Sequence, residues 1–144
     1  MILTDHTIKE SISNGTIVIE PFVESNLGTN SYDVRLGKTL ALYKDDILDA
    51  KKHNEIEMFD ISEDGYVLEP GNLYLGVTEE YTETHIHIPF LEGKSSVGRL
   101  GIDIHATAGK GDVGFCNHWT LEISVSKPVR VQSHIHILRC RRAI

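Results

Sequence analysis

Three segments of the chain contain more glycines and polar side chains than tight turns require. They are residues 30–37 (NSYDVRLG), 92–101 (EGKSSVGRLG) and 105–122 (HATAGKGDVGFCNHWTLE). In the second segment, Lys94, Ser95, Ser96 and Arg99 lie between glycines. Basic groups and hydroxyls bind phosphate oxygens, and glycines allow backbone N–H groups to approach an anion. This pattern predicts either a phosphate-binding loop or a tight polar turn whose charges are solvated.

The tripeptide Gly93-Lys94-Ser95 matches the end of the P-loop that binds nucleoside triphosphates. That motif also requires a glycine five residues before Gly93, and this chain has Ile88 there. Any phosphate binding by residues 92–101 must therefore use a different kind of loop.

Two carboxylates in the third segment are candidates for proton transfer or ligand binding. Glu122 lies in the apolar run 119–125, in which the large apolar residues have the opposite parity. Strand alternation therefore predicts that Glu122 points away from the core, together with Thr120 and Ser124. Asp112 lies in a glycine-flanked loop and is equally compatible with an ordinary turn residue.

Two pairs of histidines have a spacing that is compatible with metal binding. His85 and His87, and likewise His134 and His136, are two residues apart, which would place each pair on one face of a strand. Exposed histidines on strands usually bind no metal, so the sequence predicts no metal site. His105 is expected to pack as a structural polar residue.

The elements that must position these segments are almost all strands. Short runs rich in β-branched residues recur between turn-forming pairs such as Asp64-Gly65 and Pro70-Gly71. The runs are DVRLG, TLALY, YVLEP, LYLGVTEEY, HIHIPF, IDIHATA, WTLEISV and PVRV. Many short strands separated by glycine-rich turns indicate an all-β barrel or sandwich. The charged stretch 44–55 is predicted to be a loop or a helical turn.

A short N-terminal helix is the exception to this pattern. Ile8 and Ile12 are four residues apart, and Thr4 or Asp5 can cap the start of the helix. The pair Asn14-Gly15 can end it, since both residues tolerate the left-handed conformation.

The composition describes one soluble domain over residues 1–144. The chain has a formal net charge of −7 and 40% hydrophobic residues, and a single domain typically holds about 100–200 residues. The N-terminus lacks the pattern of a signal peptide, and no apolar run reaches the ~20 residues of a membrane span. Two cysteines, Cys116 and Cys140, cannot form a disulfide framework. We expect a cytoplasmic protein that binds neither membranes nor nucleic-acid backbones.

Taken together, these segments resemble the dCTP deaminase family, within the superfamily shared with dUTPase, and especially its bifunctional and phage-like branches. The similarity extends from Ile2 to about Val131 and includes the N-terminal helix, NSYDVRLG, EGKSSVGRLG, and HATAGKGDVGF followed by WTLE. One such block is a weak signal, whereas four in order at compatible spacing are specific. The resemblance implies a distorted all-β barrel or jelly roll of the dUTPase type, assembled as a homotrimer with active sites between subunits.

The resemblance also implies roles for the candidate site residues. The residues that correspond to phosphate and catalytic-site contacts are Lys94, Ser95, Ser96 and Arg99. The residues that would contact the nucleoside are Asp112, on the deoxyribose side, and Thr120 and Leu121, at the base. Glu122 corresponds to the catalytic glutamate, and the carbonyl of Ala108 would help to hold the attacking water. In such a trimer, another subunit rather than solvent would cover the face that carries Glu122.

The implied reaction is the hydrolytic deamination of dCTP to dUTP and ammonia, a step toward dUMP and dTTP. Glu122 would act as general base and then general acid, Ser95 would orient the water or the base, and Arg99 would stabilise charge. Magnesium would bind through the triphosphate, and dTTP is a candidate inhibitor. No zinc is expected, because zinc deaminases need H-x-E and a later P-C-x-x-C. Residues 53–55 supply the first motif, but no proline in this chain is directly followed by a cysteine.

Two alternatives to this activity stay open. After Val131 the family continues into a final strand and a tail that folds over the nucleotide, whereas this chain reads QSHIHILRCRRAI. We therefore expect the tail to be missing, which favours a catalytically weak nucleotide-binding trimer. The other alternative is a dUTPase without deaminase activity, in which Asp112 would activate water at the α-phosphate. The WTLE motif with Glu122 favours the deaminase.

Overall fold

Ten strands and two short helices make up the described part of the chain. A computed structural model describes residues 2–107 and 109–143, with side chains up to residue 137. The helices are α1 (Asp5–Ser13) and α2 (Ser95–Gly98), and a 3-10 turn spans Glu24–Asn26. The strands are β1 (Ile17–Glu20), β2 (Tyr32–Tyr43), β3 (Ile56–Asp60), β4 (Tyr66–Leu68), β5 (Tyr74–Thr84), β6 (Ile88–Gly93), β7 (Ile102–Asp103), β8 (Phe115–Val125), β9 (Val129–Val131) and β10 (His136–Ala143). The predicted all-β architecture with a short N-terminal helix is confirmed.

Local capping explains where α1 begins and ends. Thr4 has an extended backbone, and its Oγ1 accepts a hydrogen bond from the N–H of Thr7 at 3.4 Å. Asn14 ends the helix, and Gly15 follows with φ of 76°, a left-handed conformation that glycine adopts without strain. Ile8 lies on the buried face. The sequence-based prediction of this helix is therefore confirmed.

The strands form a distorted barrel that is closed by the glycine-rich stretch following β7. Eight strands form one sheet with the order β6-β10-β2-β5-β8-β7, and β1 and β3 pair with β5 and β2. Beyond β7, the N–H of Glu122 donates to the carbonyl oxygen of Ile104 at 3.0 Å. Further along, the N–H of Gly111 donates to the carbonyl oxygen of Pro89 in β6 at 2.9 Å. This stretch therefore connects β8 to β6.

The hydrophobic core fills the barrel and includes side chains from most strands. Its largest fully buried side chains are Leu3, Ile8, Ile17, Tyr32, Leu36, Leu40, Leu68, Tyr74, Leu121, Ile123 and Ile137. β4 and β9 form a separate two-stranded sheet whose residues Leu68 and Val131 belong to the same core. Neither helix in the described residues is long and apolar enough to cross a lipid bilayer.

The C-terminal sequence forms a strand that the comparison with the family pattern did not anticipate. β10 pairs with β6 on one side and with β2 on the other, so it is an interior strand of the sheet. The sequence QSHIHILRCRRAI therefore supplies this strand although it departs from the family pattern, and the expected absence of the tail stays a prediction. β3 was also missed, since its residues are mostly exposed and show no clean alternation. The stretch 44–55 is a loop, as predicted.

Candidate active site

Glu122 lies on the outer face of β8, directly beside the barrel core. Its neighbours Leu121 and Ile123 are fully buried, whereas Thr120 is exposed and Glu122 is half-buried. The period-two pattern therefore places Glu122 away from the core, as predicted. The Oε2 atom of Glu122 accepts a hydrogen bond from the N–H of Ala106 at 2.8 Å. This contact fixes one carboxylate oxygen against the stretch that closes the barrel.

Two glycines allow that stretch to pass close to the neighbouring strands. A Cβ atom on Gly109 would overlap the carbonyl group of Leu91. A Cβ atom on Gly111 would lie 2.6 Å from Cη2 of Trp119 and 2.9 Å from Cγ of Pro89. Glycine is therefore required at both positions by the close approach of the backbone. Two predicted site residues flank these glycines: Asp112 is exposed, and Ala108 lies outside the described residues.

The residues predicted to contact phosphate lie on and beside α2. Ser95, Ser96 and Arg99 are exposed, whereas Val97 points into the core. Lys94 precedes the helix, and its Nζ lies 2.6 Å from Oδ2 of Asp33 in the NSYDVRLG segment. The two side chains are only 22% and 19% exposed. Sequence reasoning missed this partnership, because the residues are 61 positions apart and no local pattern relates them.

On one subunit, the α2 group and Asp112 lie toward opposite ends of β6. Within the described residues, no hydrogen bond or ion pair joins the α2 group to Glu122 or Asp112. Asp112 follows Gly111, which is hydrogen-bonded to Pro89 near the start of β6. Ser95 lies beyond the other end of β6, and six residues of strand span about 20 Å.

A surface cavity of about 430 Å³ opens beside Thr120. It forms where the register shifts between β2 and β5, and again between β5 and β8, because such irregularities bend the strands locally. Lys38 and His118 lie in its wall together with Thr120. The Nδ1–H of His118 donates to the carbonyl oxygen of Thr78 at 2.9 Å. Sequence reasoning missed Lys38 and His118, since neither lies in a recognisable pattern of ligand-binding residues.

An apolar patch adjoins Glu122 on the same outer face. Leu75 of β5 is the ladder partner of Glu122 and is partly exposed. Val77 and Met58 expose 42% and 66% of their surface, and Ile56 is also exposed. A groove of about 190 Å³ runs along these residues. Exposed apolar patches of this kind mark interaction surfaces.

The structure does not place either histidine pair on one face of a strand. β5 ends at Thr84 and β6 begins at Ile88, so His85 and His87 lie in the connection between them. His85 is exposed, whereas His87 is buried near Oγ of Ser11. In the second pair, His134 has φ of 61° and precedes β10, which begins at His136. The expectation of a shared face is therefore wrong, because turns interrupt both runs.

Comparison with known proteins now identifies the family. A model of the dCTP deaminase-like domain matches residues 2–141. A dUMP-forming dCTP deaminase of Clostridium acetobutylicum is 51% identical over 137 residues, which cover 95% of this chain and 79% of that protein. The chain belongs to the dCTP deaminase-like family. A second dUMP-forming dCTP deaminase, of Leptospira biflexa, is 52% identical over 95% of this chain and 78% of its own length.

The fold of the family is also found in a solved structure. The crystal structure of 2'-deoxycytidine 5'-triphosphate deaminase from Agrobacterium tumefaciens superposes with a TM-score of 0.77 and 22% sequence identity. The match covers 98% of this chain, which spans 47% of that protein's length. The dUTPase-like β fold predicted for this chain is therefore confirmed. The roles of the individual site residues stay predictions.

Proposed function

We propose that this chain hydrolyses dCTP to dUTP and ammonia, a step toward dUMP and dTTP. The observation that carries the proposal is the placement of Glu122, a half-buried carboxylate that the N–H of Ala106 orients, two residues along β8 from Thr120 in the cavity wall. Its support comes from relatives that are about half identical and are named dCTP deaminases. The chain supplies an acid–base group and polar donors for such a reaction.

In the proposed reaction, Glu122 transfers a proton from water to the leaving amine. Water adds to C4 of cytosine while Glu122 takes up one of its protons, and the carboxyl group then returns a proton to the departing ammonia. A positioned acid–base group of this kind accelerates a reaction by roughly 10²–10⁴. The hydrogen bond from Ala106 fixes the carboxylate, so less reorientation is needed during proton transfer.

The remaining site residues would bind and orient the nucleotide. Lys94 and Ser96 would contact the phosphates, Ser95 would orient the water or base, and Arg99 would stabilise developing charge. Asp112 would contact the deoxyribose, and the backbones of Thr120 and Leu121 would contact the base. The carbonyl of Ala108 would help to hold the water. Lys94 would have to share its ammonium group with Asp33, its ion-pair partner.

The assembly is proposed to be a homotrimer with sites between subunits. Two observations support it. The α2 group and Asp112 lie about 20 Å apart along β6 on one subunit, so a complete site would combine them from two copies. The apolar patch that includes Leu75, Val77 and Met58 adjoins Glu122 and would be covered by a second copy of this chain.

A second hydrolytic step is proposed to follow deamination. The relatives are named as dUMP-forming enzymes, which supports hydrolysis of dUTP to dUMP and pyrophosphate at the same site. Magnesium would arrive with the triphosphate and neutralise its charge. The exposed hydroxyls of Ser95 and Ser96 and the guanidinium of Arg99 are suitable partners for such a complex. dTTP is proposed as an inhibitor because it shares the triphosphate and the deoxyribose.

The test is a paired measurement of ammonia released from dCTP and pyrophosphate released from dUTP by the same preparation. We expect ammonia from dCTP and pyrophosphate from both nucleotides. Pyrophosphate from dUTP without ammonia from dCTP would identify a dUTPase instead. Binding of dCTP or dTTP without turnover would identify a nucleotide-binding trimer.

A further inference from the structure

A carboxylate, an imidazole and a thiol converge where β5 ends and β8 begins. Glu83 and Cys116 are direct partners in the β5–β8 ladder, and His85 follows Glu83 by two residues. One ligand atom from each side chain lies within 4.8 Å of the other two. We infer that Glu83, His85 and Cys116 form a binding site for a divalent transition-metal ion, for which Zn²⁺ is the best match.

The spacing of the three ligand atoms suits a tetrahedral ion after small side-chain rotations. Zinc binds nitrogen and oxygen at about 2.0–2.2 Å and sulfur at about 2.3 Å, so its ligand atoms lie roughly 3.3–3.8 Å apart. The Nε2–H of His85 now donates to Oε2 of Glu83 at 2.8 Å. On zinc binding, the proton on Nε2 of His85 would move to Nδ1, so that the neutral imidazole binds the ion, and the proton of the Cys116 thiol would be released to solvent. Water would complete the coordination.

The chemistry of the ligand set selects the class of metal. Thiolate and imidazole favour zinc and similar transition metals, whereas magnesium and calcium prefer oxygen ligands. Cys116 is a free, exposed cysteine on the surface of the barrel. The site would therefore discriminate against the magnesium that the proposed function assigns to the triphosphate.

Surrounding groups hold two of the ligands in place. The hydroxyl of Tyr81 donates to Oε1 of Glu83 at 2.9 Å, which leaves Oε2 directed at His85. This hydrogen bond to a carboxylate raises the pKa of the Tyr81 phenol above its ordinary value. The backbone N–H of His85 donates to the carbonyl oxygen of Thr16 at 3.0 Å. Such supporting hydrogen bonds orient metal ligands and increase metal affinity.

The position of the metal site separates it from the proposed deamination. Glu122 pairs with Leu75, and Glu83 lies eight residues further along β5, or about 25 Å along the strand. A zinc ion there would link the end of β5 to the start of β8 and would stabilise the pairing of these two strands. It would not take part in proton transfer at Glu122, so the inference goes beyond the proposed function and does not depend on it.

The test is titration of the full chain with Co²⁺ and then Zn²⁺, in a buffer with a non-thiol reductant. We expect one Co²⁺ per chain, an ultraviolet charge-transfer band from the thiolate to cobalt, and loss of that band when Zn²⁺ is added. Saturating Zn²⁺ should raise the Tm by about 5 °C or more, because it binds the folded state preferentially. Cys116→Ser should abolish the band, and His85→Gln should lower zinc affinity at least tenfold.

Matched variants separate this site from adventitious binding. Cys140→Ser removes the other thiol, and His134→Gln alters a histidine that lies 3.6 Å from Glu79 without a thiol in the cluster. Both should bind cobalt as the unaltered chain does. The inference would be overturned if the unaltered chain showed no thiolate-to-cobalt band when titrated with Co²⁺. It would also be overturned if the band disappeared in Cys140→Ser but persisted in Cys116→Ser. Since His85 is exposed, its variant tests the site even if Cys116→Ser folds poorly.

Discussion

Arg35 of β2 and Glu80 of β5 form an ion pair in which both carboxylate oxygens are used. The Nε–H of Arg35 donates to Oε1 at 2.7 Å, and its backbone N–H donates to Oε2 at 2.7 Å. The Glu80 side chain is completely buried, and that of Arg35 is 20% exposed. The hydrogen bond to Glu80 raises the pKa of Arg35 above its ordinary value, so Arg35 stays charged. The pair holds β2 against β5 where the ladder between β5 and β8 is interrupted.

Removal of one partner should destabilise the protein strongly. We expect Glu80→Ala to lower the free energy of unfolding by about 3–5 kcal/mol, because it leaves Arg35 without its counter-charge in a largely buried position. Urea denaturation followed by circular dichroism measures the change. Glu79→Ala is the matched control, since Glu79 is partly exposed and its carboxylate lies 3.6 Å from Nδ1 of His134; it should cost about 0–1 kcal/mol. Equal losses in the two variants would contradict a special role for the buried pair.

Replacement of Glu122 tests the proposed acid–base group. Glu122→Gln keeps the side-chain volume and can still accept the hydrogen bond from Ala106, but it does not accept a proton at neutral pH. We expect a folded assembly of unchanged size whose release of ammonia from dCTP falls by about 10²–10⁴. Glu63→Gln, at an exposed turn position, should keep full activity. If Glu122→Gln released ammonia at the unaltered rate, Asp112 would become the first candidate for the base.

The close packing of Gly111 predicts that even one added methyl group is destabilising. A Cβ at this position would lie 2.6 Å from the Trp119 ring, so the ring or the backbone must move. We expect Gly111→Ala to lower the free energy of unfolding by about 1–3 kcal/mol and to change the fluorescence of Trp119, the single tryptophan of the chain. Gly98→Ala meets no atom within 4 Å and should leave stability unchanged or slightly higher. Unaltered fluorescence and stability in Gly111→Ala would disprove the tight contact.

Removal of zinc and omission of magnesium should affect the deamination of dCTP differently. We expect a zinc-selective chelator to leave the rate of ammonia release unchanged, because the cluster at Glu83 lies far from Glu122 along β5. Omission of magnesium should raise the KM for dCTP, since the triphosphate would keep its full negative charge. Steady-state kinetics with each ion controlled separately measures both effects. Activity that is lost on chelation and restored by zinc alone would contradict the zinc-free mechanism.

Local patterns in the sequence were enough to predict α1, most of the strands and the direction of single side chains. The capping residue Thr4 and the pair Asn14-Gly15 determined α1, because helix ends are satisfied by groups a few residues away. The alternation around Glu122 determined its outward direction, because a strand has a period of two residues. The motif blocks determined family membership, since their order and spacing are properties of the chain itself.

Which distant residues meet depends on the long-range packing of the strands. Cys116 lies opposite Glu83 because the β5–β8 ladder adopts one register, and a shift of one residue would send these side chains to opposite faces. The Lys94–Asp33 pair and the closure of the barrel beside Gly111 depend in the same way on long-range hydrogen bonds. β10 became an interior strand because β2 and β6 offer ladder partners on both sides. Register is set by the packing of all strands at once, so no local pattern of the sequence contains it.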